Sequence, residues 1–123
     1  MIHACFGDST GDQGVCRVSL NDFLADAEDV AIFRSKFDAV SRARIAQQAA
    51  SYLGLGFDTK FDLETRDRVY CSELVRLSVN SALESEIIPT SMVRGKKAVA
   101  LDDCYLNPFF SMVCEKVSLQ TMI

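Results

Sequence analysis

The chain has 123 residues, 49% of them apolar, with 13 basic against 17 acidic side chains and a net charge of -4. That length supports one domain, residues 1–123, around a single core, and no apolar run is long enough to span a bilayer. The acidic balance leaves no basic stripe to neutralise phosphates, which argues against nucleic acid as a partner.

Met1 to Phe6 reads as a short strand. Gly7-Asp8-Ser9-Thr10-Gly11-Asp12-Gln13-Gly14 has turn chemistry, because glycines supply positive φ and Asp and Ser side chains bond to nearby backbone. Val15 to Leu20 alternates apolar and polar side chains, so the two segments form a hairpin candidate. Ser19-Leu20-Asn21-Asp22-Phe23-Leu24 opens a short helix, with Ser19 or Asn21 as its cap, and Asp29 to Arg34 reads as a third strand. Asp38 to Leu53 is predicted helical. Val40, Ala43, Ala46, Ala50 and Leu53 form its apolar stripe, and Gly54 stops it.

Phe61 to Arg68 is polar and loop-like, and from Cys71 to about Leu83 apolar residues again recur at helical spacing: Cys71, Leu74, Val75, Val79, Ala82, Leu83. Ala98 to Leu101 and Phe110 to Val117 are apolar enough for strands, separated by a loop carrying Asp102-Asp103 and Asn107-Pro108. Strands, then helices, then strands predict an α+β layer rather than a doubly wound sheet.

The chemically telling stretch is Val69-Tyr70-Cys71-Ser72-Glu73-Leu74-Val75, where an extended segment turns into a helix with cysteine at its start. The unpaired N–H groups and positive dipole end there favour an anion, and a thiolate is one. A nucleophilic cysteine needs such a setting. Cys71 is therefore the candidate nucleophile. The N–H groups of Cys71 and Ser72 are candidate oxyanion donors, with the Tyr70 hydroxyl as a further donor. Glu73 is read as a helix-start carboxylate that complements the dipole. The competing reading of Cys71 is a small buried hydrophobe.

These segments resemble the circularly permuted NlpC-type cysteine hydrolases, the YiiX-like branch of the papain-like superfamily. Phe57-Asp58-Thr59-Lys60-Phe61-Asp62 is similar to the "YDxxFD" turn of that family, and Val69 to Val75 to its "xYCSELV" helix start. Gly14-Val15-Cys16-Arg17-Val18-Ser19-Leu20-Asn21-Asp22-Phe23-Leu24 resembles "GVRVxSLxDFL", and Leu101-Asp102-Asp103-Cys104-Tyr105 resembles "PDDxY". The resemblance implies a papain-like α+β fold, with a small antiparallel sheet on two main helices. It implies thiol hydrolase or acyltransferase chemistry, in which Cys71 opens an amide or ester through a thioester. The implied substrate is a cell-wall peptide or a lipid-linked acyl group, and no cofactor is required.

His3 is the chain's only histidine and hence the candidate partner of Cys71. In the family the base histidine lies one strand earlier, and Ile2-His3-Ala4 matches the strand that carries a polar orienter. Three readings stay open: an N-terminally truncated copy, an inactive binding module of the same fold, or His3 itself serving as base. A missing strand would expose a sheet edge and favour a homodimer. A third class of function is a redox-sensing thiol at Cys71.

His3 with Cys5 and Cys16 lacks the spacing of a zinc site, so no metal is expected. Cys104 and Cys114 are read as packed hydrophobes, and Arg94, Lys96 and Lys97 as a solvated loop face. Met1-Ile2-His3-Ala4 shows no signal-peptide pattern, and an odd five cysteines suits a reducing compartment. A cytoplasmic location is the expectation.

Overall fold

Apolar and polar side chains alternate along β1 (Ile2–Cys5) and β2 (Gly14–Arg17), and the two pair antiparallel with Ala4 opposite Val15 and His3 opposite Cys16. Ala4 and Val15 are buried, so one face of this ribbon is core and the other carries His3 and Cys16. The structure, a computed structural model, describes residues 1–7, 14–25 and 27–116. Most of the expected turn between β1 and β2 lies outside the described residues, as does Val117 at the end of the last expected strand.

Helix α1 (Leu20–Leu24) begins where the Ser19 hydroxyl accepts the Asp22 N–H at 3.0 Å. Strand β3 (Val30–Ser35) pairs antiparallel with the last strand, β8 (Phe110–Lys116), with a register shift between Ile32 and Phe33. Helix α2 (Ala39–Ser51) is capped by Asp38, whose carboxylate takes the Ser41 N–H at 2.7 Å. Strands β4 (Gly56–Phe57) and β5 (Arg68–Val69) form a short parallel pair around the 58–67 loop. Buried Asp58 organises that loop by accepting the N–H groups of Lys60 at 2.9 Å and Asp62 at 2.7 Å.

Helix α3 (Cys71–Leu83) follows β5 directly through extended Tyr70. Strands β6 (Ser91–Val93) and β7 (Lys96–Ala98) form a hairpin closed by Arg94-Gly95, both at positive φ, and α4 (Leu101–Tyr105) leads to β8. Among the described residues there are thus four helices and four two-stranded sheets, three antiparallel and one parallel.

The core lies in two clusters, both drawing residues from α3. Ala4, Val15, Val69 and Leu74 form the first; Tyr70, Val79, Ile88 and Val99 form the second; Phe57 packs against both. Helix α2 lies along α3, with Ile45 packed on the second cluster and Tyr52 on the first. Tight stitching joins β2 to the segment after α2. Val15 donates to the Leu55 carbonyl at 2.8 Å, and Gly54 donates to the Val15 carbonyl at 3.0 Å. At Gly14 (φ +98°) a Cβ would stand 2.1 Å from the Leu55 oxygen, so no other residue fits without movement.

Several expectations are corrected. The α2 stripe through Val40, Ala43 and Ala46 faces outward: Val40 is 63% exposed, and Ile45 and Tyr52, seven residues apart, face the protein instead. An alanine-rich helix carries too little hydrophobic contrast to fix its own rotation, and the larger side chains decide it. In α3, Cys71 and Val75 are exposed, while Ser72, Glu73 and Ser78 are buried because each has a hydrogen-bond partner. The strand expected over Ala98 to Leu101 is absent beyond Ala98, which ends β7. Chain pairing ends at Ala98, and α4 starts at Leu101 because Asp103 reaches back to the Ala100 N–H at 2.9 Å. Cys104 packs on the second cluster as expected, whereas Cys114 is exposed.

Candidate active site

The extended-to-helix transition falls at Cys71, which is the first residue of α3 and is exposed. Tyr70 N–H donates to the Glu73 carboxylate at 3.2 Å, which satisfies one donor at the helix start. The Cys71 and Ser72 N–H groups follow in the first turn, where a helix supplies no carbonyl partner. Cys71 opens onto a cleft of about 770 Å³ walled by the 58–67 loop, the β6–β7 hairpin and α4, with Phe61, Arg94, Lys96 and Tyr105 among its lining residues.

The cleft wall is fastened on both sides of the cysteine. The Tyr70 hydroxyl accepts the Val99 N–H at 2.8 Å, and the Ser72 hydroxyl donates to the Val99 carbonyl at 2.7 Å. Tyr70 is buried, and burial pushes its phenol above its ordinary value. Phe61 sits at φ +54°, costly for a bulky residue, and its ring meets Tyr70 edge-on with centroids 5.1 Å apart.

Burial pushes the Glu73 carboxyl up to about 7, against the opposing pull of its hydrogen bond from Tyr70; Asp58 raises it further and Arg76 lowers it. Cys104, near Cys71, is pushed up to about 11 by burial and by the charges of Asp103 and Cys71, so it stays a thiol. Asp103 takes the Ser91 hydroxyl at 2.7 Å and the Ala100 N–H at 2.9 Å, a structural role. The neighbouring Asp102 carboxylate pushes the Tyr105 phenol above its ordinary value.

Cys71, Ser72 and Tyr70 therefore stand together. His3 is placed elsewhere: its Nε2 lies 3.2 Å from Cys16 Sγ, its ring meets Phe23 edge-on at 5.3 Å, and it does not line the cleft. Its strand neighbours Ile2 and Ala4, on the other face of β1, are the ones that pack toward Leu74. Arg94 and Lys96, read in sequence as a solvated face, line the cleft; the Arg94-Gly95 pair between Met92-Val93 and Ala98-Val99 is the hairpin signal that marks their place.

A family model described as permuted papain-like amidase enzymes, YaeF/YiiX, the C92 family, matches residues 4–104, and the chain belongs to that family. In three dimensions the chain is similar to the metalloprotein YiiX from Escherichia coli O157:H7. The TM-score is 0.71, covering 90% of this chain and 75% of that one at 20% identity, which shows a shared fold. No curated protein matches the chain in sequence. Among the described residues, no three His, Cys, Asp or Glu side chains are grouped to hold a metal ion. No described helix is long and apolar enough to cross a membrane.

Proposed function

We propose that this chain is a thiol amidase in which Cys71 is the nucleophile. The observation that carries the reading is an exposed cysteine at the first position of α3, opening onto a cleft, in a chain of the permuted papain-like amidase family. Cys71 Sγ attacks the carbonyl carbon of a cleft-bound amide. The developing oxyanion takes hydrogen bonds from the Cys71 and Ser72 N–H groups. The amine leaves with the proton given up by the thiol, and water then opens the thioester to free acid and thiol. Tyr70 and Ser72 act as positioning residues, since both hold Val99 in the cleft wall. An ester is opened by the same steps, and a peptide or an acyl chain suits the partly apolar cleft.

A second reading, a binding module of the same fold, is favoured by one observation: the sole histidine pairs with Cys16 rather than lining the cleft. Quenched mixtures with N-acyl p-nitroanilides and p-nitrophenyl esters, weighed as intact protein, separate the two. An acyl adduct on Cys71, absent in Cys71→Ser, is the result expected of the amidase. Neither adduct nor turnover would support the module.

A further inference from the structure

We infer that Cys16 and His3 form a second thiol centre, distinct from the Cys71 cleft, which reacts with small hydroperoxides. This assignment stands apart from the amidase reading. A base within hydrogen-bond reach is one way to activate a thiol, and the 3.2 Å approach of Cys16 Sγ to His3 Nε2 supplies it here, where Cys71 has a helix start instead. The two residues are directly opposite in the β1–β2 register, so the approach is built into the strand pairing rather than into a flexible loop. Phe23 stands edge-on to the imidazole with planes at 83°, which holds the ring turned toward sulfur. Phe23 is itself placed by α1, started by the Ser19 cap. Both partners of the pair are half-buried. Neither lines the cleft, so the reactant is small rather than a cleft-bound acyl compound.

The step balances without any further reagent. Cys16 Sγ attacks one oxygen of the hydroperoxide as His3 Nε2 takes the thiol proton. The O–O bond breaks, and the departing alkoxide or hydroxide receives that proton from His3. The products are cysteine sulfenic acid and an alcohol or water; sulfur is oxidised and the peroxide reduced.

The test uses the reduced full chain, hydrogen peroxide as the reactant and dimedone as the sulfenic-acid trap, with fragment mass spectrometry to locate each adduct. Cys5 lies on the same strand face as His3 and serves as the internal reference. Cys16 is expected to label about 10-fold faster than Cys5 in the wild-type chain, and His3→Gln to slow Cys16 about 10-fold while leaving Cys5 and Cys71 unchanged. Equal rates at Cys16 and Cys5 in the wild type overturn the inference, and that comparison needs no variant to fold. A Cys16 rate untouched in a His3→Gln chain of native near-ultraviolet dichroism also overturns it.

Discussion

The hydroxyl of Tyr70 accepts the N–H of Val99 across 29 positions of sequence, at 2.8 Å and out of solvent. The adjacent Ser72 hydroxyl takes up the other backbone group of the same residue, its carbonyl, at 2.7 Å. The two bonds flank Cys71 and tie the start of α3 to the segment joining β7 and α4. The cleft therefore has a wall whose position depends on side chains either side of the candidate nucleophile.

Tyr70→Phe removes the acceptor and leaves a buried N–H without a partner. The expected loss is about 1–3 kcal/mol of stability, with Ser72→Ala costing about 1 kcal/mol by the same reasoning. Urea midpoints at constant m-value check both. An unchanged midpoint for Tyr70→Phe would mean that the Val99 N–H finds another acceptor.

Cys71 is exposed and packs in neither core cluster, so Cys71→Ser is expected to shift stability by less than about 0.5 kcal/mol. The same variant is expected to lose all acyl-adduct formation. Thermal melting beside intact-mass analysis reads both at once. A large drop in melting temperature would show instead that the thiol is a packing residue.

Burial raises the Glu73 carboxyl from 4.5 to about 7. The folded chain then keeps this proton where the unfolded chain has released it. Stability from this group falls as pH rises between those two values and is level above about 7. Glu73→Gln keeps an acceptor for the Tyr70 N–H and cannot ionise. Its advantage over wild type should grow across that window and reach on the order of 2 kcal/mol at pH 8. Urea titrations of both proteins from pH 4 to 8 test this; parallel curves would show that Glu73 ionises as freely in the folded state as in the unfolded one.

Two glycines at positive φ should behave differently. Gly14→Ala places a methyl 2.1 Å from the Leu55 oxygen and should cost on the order of 3 kcal/mol or more. Gly95→Ala, at the open tip of the β6–β7 hairpin with no atom within 4 Å, pays only the left-handed conformation, about 1–2 kcal/mol. Denaturant melts of the pair should rank them in that order.

Local signals in the sequence settled the elements whose causes are local. Ser19 caps α1 through the Asp22 N–H, Gly54 follows α2, and the polar run before Val69 delivers Cys71 to the first position of α3. The α+β class and the family resemblance were legible for the same reason, since both rest on the order of such elements along the chain. Tertiary structure alone decided the rest. Which face of α2 turns inward depends on Ile45 and Tyr52 meeting the two clusters, a choice its alanine periodicity leaves nearly degenerate. Burial of Ser72, Glu73 and Ser78 follows from partners that a helical wheel does not contain. Arg94 and Lys96 reach the cleft only because a hairpin folds back toward α3, and His3 meets Cys16 only through strand register. Helix starts and turns are read within four residues, whereas a site is made by contacts between residues tens of positions apart.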